Sequence, residues 1–262
     1  MKNFGLIVMC LLTGLIACET KSNKEEHFEQ NALEFETLTF RVDEKDCEEE
    51  EKNACTYFEV ELPYITKATL SGKEERFNQA VMDFFEEDSI KSVKEISAFI
   101  ENDMVIYEEF TEFLGDNRTK WFYSKKVDLI YTTPQLWSFH FTQEEYLGGA
   151  HGNTSHQYKV INSATGQKLT LTDLFRPDFL PELTAMGEAA FKEARGISDS
   201  TSLSSSGFQF PKNEFELNNN FGLSEEGIRF YYNPYEIGPY SLGASFFDLP
   251  MEQIKAGLKF DI

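Results

Sequence analysis

The segment 146–175 constrains the fold more than any other part of the sequence. Gly148 and Gly149 interrupt an alternating apolar–polar pattern, which resumes at 158–161 and again at 168–171 around Gly166. Glycine adopts positive φ angles at little cost, so these positions favour tight turns. The segment therefore predicts a strand, a glycine loop, a hairpin with Gly166 at positive φ, and an exit at 172–175 into a helix.

The rest of the chain mixes strand-like and helix-like periods without regular alternation. Hydrophobic content of 41% and aromatic content of 15% suffice for a packed core. Alternation predicts further strands at 34–42, 56–62, 121–132, 135–142, 215–223, 227–232 and 246–249. Helical spacing predicts a helix through Phe77, Ala80, Val81 and Phe84, a long amphipathic helix at 93–114 with Phe110 in its core stripe, and helices at 178–195 and 250–257.

This order favours an α+β fold, with antiparallel sheet and helices packed on it. We expect two intimately joined modules, 34–165 and 166–262, with the hairpin crossing their boundary.

Three motifs carry a family resemblance. They are GGAHGN at 148–153, TGQKLTLTDLF at 165–175 and FYYNPYEIGPYSLGA at 230–244. Together they resemble the extracytoplasmic domain shared by PdaC-type peptidoglycan deacetylases and RsiV-type anti-sigma factors, over about 34–262. The resemblance implies an accessory or sensing module, which in the anti-sigma branch receives lysozyme, a basic protein. We expect neither complete activity here, because the sequence shows no deacetylase metal-ligand motif and no sigma-binding segment.

The N-terminus predicts the location. A lysine at position 2 precedes an apolar run at 4–16, and Leu15-Ile16-Ala17-Cys18 resembles a bacterial lipobox. We therefore expect a signal peptide at 1–17, a lipid on Cys18 and a polar, flexible tether at 18–33. The protein would be held to a membrane of the cell envelope through this lipid, facing the periplasm or the exterior. The alternative is an ordinary secretory signal with a chance cysteine.

Two cysteines are left after processing. Cys10 leaves with the signal and Cys18 is lipidated, so Cys47 and Cys55 form an even pair in an oxidising compartment. A disulfide between them would close an acidic loop at 43–53. A metal pair is the alternative, but no histidine lies near. The loop also lacks the ligand spacing of a calcium site.

The charge balance limits the partners. Lys and Arg number 24 against 45 Asp and Glu, giving a formal charge of −21. Nucleic-acid binding needs a basic surface and is disfavoured. An acidic surface suits a solvated extracytoplasmic protein or a basic partner attracted by electrostatic steering.

Candidate site residues cluster near the glycines and in the later aromatic motif. We predict Gly148, Gly149, His151, Tyr235 and Tyr240 as ligand-binding residues. His140, His151 and His156 could in principle meet around zinc, but they lack a known ligand spacing, and a loop histidine more often makes a structural hydrogen bond. We therefore predict no metal, cofactor or catalytic residue. Tyr231, Tyr232, Tyr235 and Tyr240, with Trp121 and Trp137, form either a stacking surface or part of the core.

The leading hypothesis is a membrane-anchored envelope lipoprotein that acts as a binding module. Its candidate ligands are a basic protein such as lysozyme and a cell-wall component such as peptidoglycan. The alternative is an enzyme acting on cell-wall glycan or peptide, with His151 in its site. A structural envelope module without a soluble ligand is a third reading.

Overall fold

Two β-sheets organise the part of the chain described by the structure, a computed structural model covering residues 33–45, 47, 55–67, 72–114 and 119–261. Residues 34–262 form one compact unit. The predicted signal peptide, the lipidation site Cys18 and most of the acidic loop lie outside the described residues. Within the described residues, no helix is both long and apolar enough to cross a membrane.

The first sheet contains five strands in sequential order. They are β1 (Glu36–Asp43), β2 (Tyr57–Tyr64), β3 (Phe122–Thr132), β4 (Leu136–Tyr146) and β5 (Asn153–Asn162). All neighbours are antiparallel except β2 and β3, which run parallel. Parallel neighbours need a long crossover connection, and here it contains α1 (Lys73–Met82) and α2 (Ile96–Leu114). The predicted antiparallel sheet is therefore mixed at this one pair.

Both crossover helices bury an apolar stripe against the same face of this sheet. The Phe77 ring of α1 lies 5.3 Å from the rings of both Trp137 and Phe139. The predicted stripe of α2 is buried at Ile96, Ile100, Met104 and Tyr107. Phe110 was predicted to belong to it but is 43% exposed, because Thr111 takes the buried position at this turn and the Phe110 ring lies beside Trp121.

The segment after β5 forms the predicted turn but not the predicted second strand. Gly166 has a φ of 75°, as expected. The predicted strand at 168–171 is wrong, since Lys168 makes only an isolated bridge to Ile161. A reciprocal capping box between Thr170 and Asp173 starts the short helix α3 (Leu171–Leu174) instead. Satisfying the orphan amides at a helix start outweighs the alternating pattern here.

The remaining elements build a second, antiparallel sheet with the strand order β6-β7-β8. They are α4 (Leu180–Ala194), β6 (Phe221–Leu223), β7 (Gly227–Tyr232), β8 (Ser245–Pro250) and α5 (Met251–Ile254). The core of this part includes Phe191, Phe230 and Leu249, and it also takes in Leu136 and Val160 from the first sheet. Residues of both predicted modules therefore contribute to this core, and the α+β prediction is confirmed.

The cysteine pair lies at the base of the acidic loop. The Cα atoms of Cys47 and Cys55 are 6.1 Å apart, a distance that a disulfide can span. The bond itself stays a prediction.

Candidate binding site at the junction of the two sheets

Strand β5 is an edge strand whose outer backbone groups are capped by asparagine side chains. Asn233 accepts from the His156 amide at 2.8 Å and donates to the His156 carbonyl at 2.9 Å. Asn220 accepts from the Tyr158 amide at 2.7 Å and donates to the same carbonyl at 2.9 Å. Two carboxamides thus replace part of a sixth strand, since they satisfy buried groups that would otherwise be costly.

This capping holds the second sheet against one face of β4 and β5. The buried Ser138 hydroxyl accepts from the Leu223 amide at 2.9 Å. Gly222 allows the close approach, because a Cβ there would lie 2.5 Å from Cδ1 of Tyr158. The second sheet therefore packs against the face of β4 and β5 that lies opposite the helices.

A cavity of about 510 Å³ lies where the two sheets meet. We call it the junction cleft. One wall carries Ile130, His140 and Tyr158, and the other carries Gly222, Leu223, Ser224, Glu226, Gly227, Ile228, Arg229, Asp248 and Pro250. Its size falls in the range of small-ligand pockets, which run from about 300 to 1,000 Å³.

An ion pair lies in the cleft. Arg229 donates from Nε and Nη2 to the two carboxylate oxygens of Asp248, at 2.7 and 2.8 Å. The guanidinium also interacts with the Tyr158 hydroxyl and lies 5.3 Å from the centroid of the Phe246 ring. The Asp248 carboxylate raises the pKa of Arg229, which keeps the guanidinium protonated. Burial raises the pKa of Tyr158, which keeps its hydroxyl protonated.

A pair of histidines lies beside the ion pair. His140 Nε2 and His156 Nδ1 are 2.9 Å apart, so one nitrogen donates and the other accepts. The His140 ring also stacks on Tyr158 with centroids 4.3 Å apart. Burial, with smaller contributions from His156 and Arg229, lowers the pKa of His140 to about 4. Burial also lowers the pKa of His156, so both rings are neutral near pH 7.

Tyr235, Tyr240 and His151 form a separate array of stacked rings, which we call the aromatic ladder. The rings of Tyr235 and Tyr240 are 5.4 Å apart, and Tyr240 stacks on His151 at 4.3 Å. Tyr235 is 67% exposed and Tyr240 is 38% exposed. His151 Nδ1 donates to the carbonyl of Gly152 at 2.8 Å, which fixes the ring.

The glycine loop directly precedes His151, the first residue of the ladder. Gly148 and Gly149 have φ angles of 87° and 104°, so both predicted turn positions adopt a conformation that favours glycine. A Cβ on Gly148 would lie 3.2 Å from Nε1 of Trp121. The Tyr146 hydroxyl donates to the Gly149 carbonyl at 2.9 Å and pins the loop to β4.

The structure brings together three of the residues that the sequence predicted. His151, Tyr235 and Tyr240 make one array although His151 is distant in sequence from the two tyrosines. His140 and His156 meet each other, whereas His151 stacks on Tyr240 instead. Tyr232 and Trp137 are buried in the core. Across the described ranges, no group of three His, Cys, Asp or Glu side chains is placed to hold a metal ion.

Sequence reasoning missed the residues that build the junction. The predicted strand 215–223 is a strand only at 221–223, because Asn218, Asn219 and Asn220 direct their side chains to backbone groups of other segments. The run of three asparagines was the available signal, since asparagine favours side-chain to backbone bonds over regular ladders. Arg229 and Asp248 gave no signal, because their pairing depends on the register of β7 and β8.

Two family models match consecutive parts of the chain. The model described as "Deacetylase PdaC" matches residues 49–154, and the model described as "Protein of unknown function (DUF3298)" matches residues 172–252. The first match contains β2, β3, β4 and the first two residues of β5. The second contains α4 and the three-stranded sheet.

A curated relative and two solved structures extend these matches. The peptidoglycan-N-acetylmuramic acid deacetylase PdaC of Bacillus subtilis (strain 168) is 23% identical over 259 residues, which cover 97% of this chain and 50% of that protein. The chain therefore spans half the length of this relative. A DUF3298 family member from Bacteroides fragilis NCTC 9343 has a TM-score of 0.65 and 20% identity, covering 86% of this chain and 94% of its own.

A DUF3298 family protein from Pseudomonas aeruginosa PAO1 has a TM-score of 0.58 and 16% identity, covering 87% of this chain and 95% of its own. At these identities the structural likeness establishes a shared fold. The resemblance to the extracytoplasmic domain of PdaC-type deacetylases is therefore confirmed, with a segment matched by the PdaC model followed by one matched by the DUF3298 model.

Proposed function

We propose that this protein is an extracytoplasmic binding module of the cell envelope that holds cell-wall glycan, with peptidoglycan as its ligand. The aromatic ladder is the observation that carries the proposal. Tyr235 leaves 67% of its surface in water, beside a second exposed tyrosine and a fixed imidazole. Tyrosine at such a position offers a flat apolar face and a wet hydroxyl, which suits the C–H face and the hydroxyl groups of a sugar ring.

The backbone around the ladder supports a binding role. Tyr235 has a φ of 70°, a conformation that costs free energy for a residue other than glycine. Strained residues of this kind concentrate at ligand sites, where the surrounding structure holds them in place. Here the following residue, Glu236, accepts from the Asn233 amide at 2.9 Å and from Asn218 at 2.7 Å, which fixes the turn.

The similarity to a relative named as a peptidoglycan deacetylase supports a cell-wall role outside the cytoplasm. Because this chain spans half of that protein, we transfer no deacetylase activity to it. We also propose that a lipid on Cys18 anchors the protein to a membrane. A module tethered through residues 18–33 would then reach the cell wall next to that membrane.

Pelleting with purified peptidoglycan tests the glycan proposal. Tyr235→Ala and Tyr240→Ala should each reduce the bound fraction at least fivefold, because each removes a stacking ring. Phe113→Ala is the matched control, since this ring on α2 is 87% exposed but is not one of the stacked rings of the ladder. Equal binding by all four proteins, or none by the unsubstituted protein, would refute the proposal.

A basic protein such as lysozyme is the second candidate ligand. The formal charge of −21 favours encounter with a cationic partner. In this case charged side chains would speed association, and the ladder would supply the short-range contacts that give lasting affinity.

The enzyme hypothesis has a separate test. If His151 acts on a wall fragment, purified protein should release a new product from muropeptides, and His151→Ala should abolish that release. An unchanged muropeptide profile after prolonged incubation with the native protein would contradict catalysis on this substrate.

A further inference from the structure

We infer that the junction cleft binds one neutral, hydroxyl-rich sugar unit of such a glycan, as a subsite separate from the aromatic ladder. The inference rests on the proposed function but uses different residues. The Arg229–Asp248 pair would hydrogen-bond neighbouring sugar hydroxyls, while the apolar wall would cover the C–H face of the ring.

The shape and the lining of the cleft suit a single ring. Its volume of about 510 Å³ leaves room for one sugar unit with part of a neighbour. Ile130 and Pro250 supply exposed apolar surface, while Arg229, Asp248 and Ser224 supply polar groups. A ligand that combines apolar C–H faces with hydroxyl edges satisfies both sets at once.

The ion pair selects for a neutral ligand. Both carboxylate oxygens of Asp248 face the guanidinium of Arg229, so the two charges largely cancel. An anion would have to displace Asp248, and a cation would have to displace Arg229. Neighbouring sugar hydroxyls can instead donate to the carboxylate and accept from the guanidinium without separating the pair, in charge-assisted hydrogen bonds.

The pair is accessible and held in one orientation. Its side chains keep 45% and 56% of their surface exposed. The Tyr158 hydroxyl and the Phe246 ring position the guanidinium from two sides. Groups fixed before a ligand arrives lose less conformational entropy on binding, which favours affinity.

The experiment is an NMR titration of the isotopically labelled protein, residues 34–262, with N,N′-diacetylchitobiose, a neutral wall-type disaccharide. Amide shifts should concentrate at Gly222, Gly227 and Arg229 and should saturate. Asp248→Asn and Arg229→Gln should each weaken binding at least tenfold, because each removes half of the hydrogen-bonding pair. An exposed ion pair contributes little to stability, so both variants should keep the native amide spectrum.

Asp178→Asn is the matched control. Asp178 also forms an exposed ion pair, with Arg176 at 3.4 Å, but it lies outside the cleft, so the affinity should not change. Asp248→Asn provides a second readout, because it leaves the positive charge of Arg229 unbalanced. This variant should bind glucuronate more tightly than the unsubstituted protein does.

The outcomes separate this inference from the proposed function. The protein could pellet with peptidoglycan and yet show no saturable disaccharide shifts in the cleft. That result would overturn the inference and leave the proposed function standing. Disaccharide affinity that both cleft variants leave unchanged would overturn it as well. Failure of both pelleting and titration by the unsubstituted protein would overturn the two proposals together.

Discussion

At the scale of single residues, two asparagines hold the junction of the sheets. Asn220 and Asn233 offer both a donor and an acceptor to the edge of β5. A carboxamide can imitate a strand at one position because it carries the same pair of groups as the peptide bond. Edge strands left open tend to pair with other chains, so this capping also protects β5.

Asn220→Ala should destabilise the protein by about 1–3 kcal/mol, because it leaves the Tyr158 amide without its partner and takes one donor from the His156 carbonyl. Chemical denaturation measures the loss. Asn153→Ala is the control. Asn153 lies on β5, the strand that Asn220 caps, but its side chain makes only an exposed 3.3 Å bond to Glu145. Similar losses in the two variants would show that Asn220 does not carry the junction.

The paired histidines predict sensitivity to acid. Burial lowers the pKa of His140 from its ordinary value of 6.5 to about 4, so the unfolded chain binds the proton more readily. The contribution of the neutral His140 ring to the free energy of unfolding should be fully present above pH 6.5. It should be lost as the pH decreases from 6.5 towards 4. Thermal melts over this range should show the decline.

His140→Gln removes this titration. Its melting temperature should therefore change less with pH just below pH 6.5, where carboxylates are not yet protonated. His156, whose pKa is also lowered, would account for the slope that is left. An identical pH dependence in the variant would exclude His140 as the cause.

At the scale of elements, glycines determine how closely segments approach. Gly222 lies in β6 against the Tyr158 ring, whereas a Cβ on Gly149 would meet no atom within 4 Å but the residue has a φ of 104°. The first glycine is needed for packing and the second for conformation. The two positions should therefore respond differently to the same substitution.

Gly222→Ala should lower the melting temperature by several degrees, because its Cβ would overlap Tyr158 and force the two sheets apart. Gly149→Ala should cost about 1 kcal/mol through backbone strain alone, and Gly149→Val should cost more, since a branched side chain fits positive φ poorly. Differential scanning calorimetry of the three variants measures these effects. An unchanged melting temperature for Gly222→Ala would mean that the junction is looser than the structure indicates.

The loop between β1 and β2 gives a prediction of its own. A Cys47–Cys55 disulfide closing a loop of this size should stabilise the protein by about 2–3 kcal/mol in the chain-entropy model. Mass spectrometry without reduction should find the two peptides linked. Free thiols at both positions after aerobic purification would contradict the pairing.

At the scale of the whole molecule, net charge governs encounter with a basic ligand. If lysozyme is that ligand, the charge of −21 should raise the association rate by a factor of about 10 to 10³ at low salt. Surface plasmon resonance over a salt series should show this enhancement fading as the screening length falls to about 8 Å at physiological ionic strength.

Neutralising Glu48, Glu49, Glu50 and Glu51 should slow association and leave dissociation nearly unchanged, whereas Tyr235→Ala should speed dissociation. No saturable binding at low salt would exclude lysozyme and leave the glycan proposal intact. Binding that is indifferent to salt would show that charge does not steer the encounter.

The sequence by itself determined the class of the fold, most of its elements and three residues of the ladder. Alternation and helical spacing are local signals, so the strands around Pro134, the helix α4 and the positive φ of Gly166 followed from them directly. His151 was a candidate because it lies beside glycines, and Tyr235 and Tyr240 were candidates because tyrosine rings suit a stacking surface.

The tertiary structure alone decided how those elements pair and pack, and which distant residues come into contact. The parallel pairing of β2 with β3, the meeting of His140 with His156 and the capping of β5 by Asn220 all join residues distant in sequence. No local period encodes such contacts, because they depend on strand register and on how two sheets pack. The junction cleft exists only through that packing, and for this reason Arg229 and Asp248 could be recognised as a site only in the folded protein.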